Sequence, residues 1–387
     1  MKSNKHHLWI YQFFRHPVKL FLKLRFGYTG RKEKAIPTPS IVLANHTTNY
    51  DPLMVATSYS QHMYFVAGEH VFRAGLASKL LRTFFAPISR VKGTTDARTV
   101  MEILRSIHAG YNVCIFAEGN RTYNGLTCDI LPSTGKLVRA SGATLVTYRI
   151  EGGYFASPRW SKTLRRGKML GHEVARYSAD QLKAMTNEEV NTIIKRDLYE
   201  DAYARQQTEH TRFTGKRLAE GIEAGLFLCP SCLRVGTLVG KDDRFSCSCG
   251  LNGRYTEYGM LEGASLPFST VTEWDLWQSE TFFTRARNAS SDELLFEDTQ
   301  QQLILLSSNA KLLAEGTLRM YGDRFCIGEH CMALHDIANL AIHGRMTIVF
   351  STQDGQYYEL KSAIDRSAPK YDIAWRACLE RERLTTQ

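Results

Sequence analysis

Ser40-Ile41-Val42-Leu43-Ala44-Asn45-His46-Thr47-Thr48-Asn49-Tyr50-Asp51-Pro52 decides the reading of this chain. Five residues, SIVLA, are apolar enough to be a buried strand, and they end on a polar cluster that contains an imidazole and a carboxylate five apart. Leu53–Ser60 then starts a helix, with Asp51 as its cap and Pro52 at its first position, where a missing N–H costs nothing. Tyr111–Ala117 (YNVCIFA) is a second buried strand, and it runs into Glu118-Gly119-Asn120-Arg121-Thr122, seventy-two residues after His46. Tyr64–Ala67 and Ala143–Ile150 read as further strands. Phe72–Phe85 and Asp96–Ala109 read as helices, the latter with Val100, Ile103, Leu104 and Ile107 on its apolar side. Strands alternating with helices predict an α/β fold with a mostly parallel sheet covered by helices, and such sheets carry function in the loops at strand ends.

The residue types at those two strand ends suit acyl transfer to an alcohol. A hydroxyl attacking a thioester needs a base, and a histidine accepts a proton near neutral pH. Asp51 would hold the other ring nitrogen, fixing the tautomer and stabilising the imidazolium. Guanidinium forks match phosphate in two-pronged fashion, so Arg121 and Arg90 are the candidate phosphate clamp, with Lys92 an added point charge. Glu118 would orient Arg121 or an acceptor hydroxyl, and Gly119 would let the backbone approach closely. Cys114 reads as core, and Cys128 has no partner that marks it reactive.

Asn45-His46-Thr47-Thr48-Asn49-Tyr50-Asp51 and Glu118-Gly119-Asn120-Arg121-Thr122 resemble the NHxxxxD and EGTRS motifs of the glycerolipid acyltransferase family (lysophosphatidic acid acyltransferase type). Phe85-Ala86-Pro87-Ile88-Ser89-Arg90-Val91-Lys92-Gly93 is similar to its arginine-bearing middle motif. Leu145-Val146-Thr147-Tyr148 lies where a fourth, proline-containing strand is usual but lacks the proline, and Ala117 replaces the proline before the glutamate. The resemblance covers roughly residues 35–160. It implies His46 as base, Asp51 as its orienter, and Arg90, Glu118, Gly119 and Arg121 at the acceptor. The implied reaction moves a fatty acyl group from acyl-CoA or acyl carrier protein to a lysophospholipid, foremost 1-acyl-sn-glycerol 3-phosphate. Glycerol 3-phosphate or another lysolipid is the alternative acceptor, and a non-catalytic lipid-binding scaffold is the alternative of a different class.

The 387 residues leave room for two or three domains. Residues 1–34 hold nine Lys and Arg against Glu33 alone, so they carry +8 of the net +10. Within them, residues 8–26 read as an interfacial helix, bent at Pro17. Arg15, Lys19 and Lys23 share one face, and Ile10, Phe13, Phe14, Leu20, Phe21 and Leu24 fall mostly on the other. This composition suits an anionic membrane surface, where each cation adds about 1 kcal/mol. The alternative is a helix packed on its own domain with a solvated basic face. No apolar run reaches the 18 or so residues of a bilayer span. The nine cysteines are an odd number, a disulfide framework is not expected, and a cytoplasmic place at the inner face of a membrane is.

Cys229-Pro-Ser-Cys232 and Cys247-Ser-Cys249, fourteen residues apart across the hairpin segment TLVGKDDRFS, resemble a zinc ribbon. Four thiolates with no open position imply a structural zinc. Arg234, Lys241 and Arg244 are offset by Asp242 and Asp243, so nucleic acid is not an expected partner. Short strands at Leu303–Leu306, Leu312–Met320, Arg324–Ile327, Met346–Ser351 and Tyr357–Leu360, with turns at Gly322-Asp323 and Asp354-Gly355, precede a helix over Tyr371–Glu380. This pattern resembles a pleckstrin-homology-type or GRAM-type module. The expected organisation is a basic membrane-facing segment (1–34), an acyltransferase domain (35–175), a helical bridge or added layer (176–226), a zinc ribbon (227–262) and a β-rich domain (263–387).

Overall fold

A computed structural model describes residues 4–68, 87–90, 97–306 and 310–385. The expected helix Phe72–Phe85, together with Asp96, Lys92 and Gly93, lies outside the described residues. The chain forms two units. Among the described residues, the first takes in 4–68, 87–90, 97–158 and 165–214, and the second takes in 159–164, 215–306 and 310–385.

The first unit is built on seven strands: β1 (Tyr28–Gly30), β2 (Ser40–Ala44), β3 (Met63–Gly68), β4 (Ile88–Arg90), β5 (Asn112–Phe116), β6 (Thr144–Glu151) and β7 (Met169–Tyr177). They lie in the order β1-β7-β6-β2-β5-β3-β4. Strand β2 pairs parallel with β5 on one side and β6 on the other, and all five of its residues are buried. A strand covered on both faces has no polar side to show, which is why SIVLA carries no alternation. Only β7 runs against its neighbour β6. Ala44 pairs with Phe116, so the loops that follow β2 and β5 leave the sheet side by side.

Eight helices accompany this sheet among the described residues: α1 (Asn4–Phe26), α2 (Asp51–Ser58), α3 (Ala97–His108), α4 (Ser133–Ser141), α5 (Gly153–Ala156), α6 (Ala179–Ala184), α7 (Asn187–Leu198) and α8 (Ala202–Glu209). Val190, Ile194 and Leu198 of α7 join Ile41, Leu43, Val113 and Leu145 in one apolar core. Ile103 and Ile107 of α3 enter it too, but Val100 is exposed. Helix α2 begins one residue earlier in role than the sequence suggests. Tyr50 is its N-cap and Asp51 its first residue, and the Asp51 carboxylate turns back towards Thr47 and Thr48 instead of forward onto the helix amides.

Helix α1 runs through Pro17 and packs one stripe on α2. Ile10, Tyr11, Leu22 and Phe26 are buried, the Tyr11 hydroxyl donates to Ala56 O at 2.6 Å, and Arg15 Nε donates to Thr57 O at 3.1 Å. Ile10 and Arg15 therefore belong to the protein-facing stripe, not to the apolar and basic outer faces the sequence spacing assigned them. Leu8, Trp9, Phe13, Phe14, Leu20, Phe21 and Leu24 are 41–65% exposed. Among the described residues no helix is long and apolar enough to cross a membrane.

The second unit holds a small antiparallel sheet of β8 (Leu238–Lys241), β9 (Arg244–Cys247), β10 (Asn252–Tyr255) and β11 (Leu261–Glu262). Helix α9 (Val271–Asn288) follows, started by a capping box between Thr270 and Glu273. A seven-stranded antiparallel sheet comes next: β12 (Leu294–Leu305), β13 (Lys311–Tyr321), β14 (Arg324–Ile327), β15 (His330–Ala333), β16 (Ile337–His343), β17 (Thr347–Thr352) and β18 (Tyr357–Ser362), in the order β15-β14-β13-β12-β18-β17-β16. Helix α10 (Pro369–Thr385) closes the chain and shares its core with α9 through Phe282, Ala286, Ala374 and Ala377. Cys326 and Cys331 face each other across β14 and β15 and form a disulfide. This bond corrects the expectation, drawn from the odd cysteine count and the four metal-like cysteines, that led from no disulfide framework to a cytoplasmic location; two cysteines five apart on a short hairpin gave no signal in the spacing.

Residues Arg159–Leu164 form a strap in this second unit. Arg159 donates to the carbonyls of Gly344 and Ile342, Trp160 is fully buried with its ring 5.3 Å from that of Tyr255, and Lys162 pairs with Asp365.

Candidate active site

The site grows from the place where the β2–β5 ladder ends. Its last rung is Ala117 N–H to Ala44 O at 3.3 Å. On the other flank, Asn45 lengthens the β2–β6 pairing by one step with its side chain: Nδ2 donates to Ile150 O at 2.8 Å, and Oδ1 accepts from Ile150 N at 2.7 Å. An amide side chain reproduces a peptide's donor and acceptor pair, so the chain stays pinned to the sheet up to the residue before His46.

His46 Nδ1 lies 2.8 Å from Asp51 Oδ2. Asp51 is fully buried, and a buried carboxylate must have its oxygens satisfied. Thr47 N–H donates to Oδ2 at 2.6 Å, Thr48 N–H reaches both oxygens at 2.9 and 3.0 Å, and the Thr48 and Thr47 hydroxyls reach Oδ1 at 2.7 and 3.3 Å. This ring of donors satisfies both carboxylate oxygens beside the imidazole and assigns the Nδ1 proton to the Asp51 side, which makes Nε2 the basic nitrogen. The imidazole stacks on Phe116 with centroids 4.6 Å apart, and its side chain is 22% exposed. A partly open base with a buried partner can exchange a proton with a bound molecule.

Glu118 is buried, and each of its oxygens accepts a backbone amide at 2.5 Å: Oε1 from His46 N and Oε2 from Cys128 N. Burial pushes its carboxyl up to about 8, against the pull of those two amides. Arg90, at the end of β4, reaches the same corner. A Cβ built on Gly119 would sit 3.2 Å from its Nη1, and Gly119 has φ +67°, a backbone setting that suits glycine. Arg121 is half-buried two residues on, in the turn after β5. The amides of His46, Thr47, Thr48 and Gly119 are already bonded, the last to Phe116 O at 3.1 Å. None of these four is free to serve as an oxyanion donor.

Sequence reading named His46, Asp51, Arg90, Glu118, Gly119 and Arg121 but not their support. Asn45, Thr47, Thr48 and Phe116 hold the pair, and two threonines just ahead of an aspartate were the available signal, since such side chains fold the local backbone. Gly153 also escaped notice. A Cβ there would lie 2.0 Å from Thr47 Oγ1, so the start of α5 packs tightly against the His–Asp loop.

In the second unit, Cys229, Cys232, Cys247 and Cys249 place their sulfurs within 4.8 Å of one another. The Cys229–Cys249 and Cys232–Cys247 separations are 3.7 and 3.8 Å. A tetrahedron with metal–sulfur bonds of about 2.3 Å has edges of about 3.8 Å, so the four thiols fit a metal ion. Positive φ at Leu233 and Gly250 turns the two knuckles. Gln278 of α9 secures the first knuckle from behind: Oε1 accepts from Phe227 N at 2.8 Å and Leu228 N at 3.2 Å, and Nε2 donates to Gly225 O at 2.8 Å.

No curated protein matches the chain. A solved structure, the 1-acyl-sn-glycerophosphate (LPA) acyltransferase PlsC from Thermotoga maritima, is similar at 18% identity and a TM-score of 0.42, over 51% of this chain and 82% of that one. Residues 28–151 match the family model described as Acyltransferase. That segment spans both motif loops and the buried pair between them, and the chain therefore carries a domain of the acyltransferase family.

Proposed function

We propose that the protein transfers a fatty acyl group from acyl-CoA or acyl carrier protein to the free hydroxyl of a lysophospholipid, 1-acyl-sn-glycerol 3-phosphate foremost. The observation that carries this reading is the His46–Asp51 pair, 2.8 Å apart at a strand end, with Nε2 as the basic nitrogen. Nε2 takes the hydroxyl proton while the oxygen attacks the thioester carbonyl carbon. The tetrahedral intermediate then collapses, the carbon–sulfur bond breaks, and the departing thiolate takes the proton from the imidazolium. No covalent enzyme intermediate is needed. Arg121 and Arg90 grip the acceptor phosphate, which holds the hydroxyl against the base.

In this reading the exposed aromatic and leucine row of α1, with Lys19 and Lys23 beside it, lies in the headgroup layer of an anionic membrane, and the protein works as a peripheral enzyme at its inner face. The four cysteines hold a structural zinc that supplies folding energy and no chemistry. The seven-stranded module is the accessory part, of the pleckstrin-homology or GRAM type. The test is His46→Ala in the full chain, assayed with a panel of lysolipid acceptors, glycerol 3-phosphate and both donors. The reading requires loss of product with folding and vesicle binding retained. Acyl transfer by the variant at the wild-type rate would remove His46 as the base, and no product from the wild type, with vesicle binding intact, would leave lipid binding as the function.

A further inference from the structure

Glu118 sits where an acceptor-binding residue is expected, but its contacts point elsewhere. The β2–β5 ladder stops at the bond from Ala117 N to Ala44 O. One residue on, the Glu118 side chain takes over as the tie between the strands, reaching across to the His46 amide with one oxygen and to the Cys128 amide with the other, both at 2.5 Å. The residue is 8% exposed. A carboxylate so enclosed, with each oxygen on a backbone donor, joins three pieces of chain: the end of β5, the loop after β2 and the segment leading from the Arg121 turn.

The consequence falls on His46. Asp51 fixes one edge of the imidazole and Phe116 one face. The backbone that carries it is held on either side, by Asn45 on Ile150 and by the Thr47 amide on Asp51. Glu118 holds the amide of His46 itself and so sets where its Cα stands relative to the end of β5. Burying the carboxyl away from water opposes its ionisation, so this strut is a poor source of stability and its effect is on placement. We propose that Glu118 is a positioning residue for the base His46 and makes no bond to the acceptor. This rests on the acyl-transfer reading of His46.

The test compares Glu118→Gln and Glu118→Asp with the wild type in the full chain, using acyl-CoA and lysophosphatidate, with thermal midpoints recorded as a check on folding. Glutamine presents an N–H to one of the two backbone donors, and aspartate is a methylene too short to reach both. Misplacing a catalytic group by about 1 Å costs on the order of 100-fold in rate. Both variants are therefore expected to lose about 10- to 100-fold in kcat. The KM and the equilibrium Kd for lysophosphatidate should stay within about twofold, because no acceptor bond is removed. A Kd weakened about tenfold or more in either folded variant, with kcat retained, would overturn the proposal and return Glu118 to the acceptor. Should His46→Ala keep wild-type turnover, the assignment of His46 as the base fails, and that result is independent of the Glu118 measurements.

Discussion

Replacing Asp51 by asparagine separates charge from shape at the centre of the site. Five donor groups converge on the carboxylate at 2.6–3.3 Å: the His46 ring, the amides of Thr47 and Thr48, and both threonine hydroxyls. The Oδ2 side receives the ring and the Thr47 amide, which only donate there. The Oδ1 side receives the two hydroxyls, which can rotate and accept instead. An asparagine therefore settles with its oxygen towards His46 and its NH2 towards the hydroxyls, at the expense of the Thr48 amide's second contact. Fold and tautomer survive, but the negative charge is gone. A hydrogen bond to a charged partner contributes about 1.5–3 kcal/mol, against about 1 kcal/mol for a neutral one. The imidazolium that forms in the transition state loses the difference and its Coulomb partner, which predicts a fall in kcat of roughly 10- to 100-fold. The KM for the acceptor should hold, and the acid limb of the rate profile should move to lower pH, since a carboxylate beside an imidazole favours the protonated ring. Steady-state acyl transfer from pH 5.5 to 9 measures all three. An Asp51→Asn enzyme that is folded and runs at the wild-type rate would refute the base-and-orienter argument.

Gly153→Ala places a methyl 2.0 Å from Thr47 Oγ1 and 2.7 Å from Thr47 Cβ, so Thr47 must yield; a thermal shift equivalent to about 1–3 kcal/mol of destabilisation and a lowered kcat are expected from calorimetry and assay. Stripping metal with a chelator, or Cys229→Ser, should remove one equivalent of zinc and lower the unfolding midpoint of the second unit, and an unchanged midpoint with no zinc found by elemental analysis would dismiss the ribbon. Glu118 supplies a pH signature. Its carboxyl rises from an ordinary 4.5 to about 8 on folding, so between those values the folded chain holds more protons than the unfolded one, and the stability linked to this group declines as pH rises across that window. Urea titrations should show the wild type losing ground to Glu118→Gln from pH 5 to 8, and parallel curves would contradict the raised value.

The parts of the fold visible in the sequence were those with a single environment. Ser40–Ala44 and Asn112–Phe116 are buried on both faces, and an unbroken apolar run bounded by polar clusters says so directly. Helix α1 was visible as an element but not in its orientation, because Ile10 and Arg15 differ in role from Phe13 and Lys19 only through what α2 presents to them. Helix α9 was overlooked although Thr270 and Glu273 spell a capping box and Trp274, Gln278 and Phe282 recur every four residues. A buried glutamine interrupts the apolar stripe, and its purpose lies in the distant amides of Phe227 and Leu228. Strands β15 and β16 are edge strands with largely exposed or half-exposed side chains, so neither shows an alternating pattern. At the site, the residue types that do chemistry could be named from spacing. Those that hold them, Asn45 against Ile150 and Thr47 and Thr48 around Asp51, depend on which strand lies next to which.

The strap of Arg159–Leu164 bears on how this protein can be taken apart. The chain leaves the first unit after Pro158, contributes six residues to the second, returns for Arg165–Thr214 and only then departs for good. A clone ending at residue 214 would expose Trp160 to water. One starting at residue 215 would lack the indole that packs on Tyr255 and the lysine that pairs with Asp365. The two halves are thus threaded and not strung like beads, and any chimaera that swaps the catalytic half must keep these six residues with the recipient's C-terminal half.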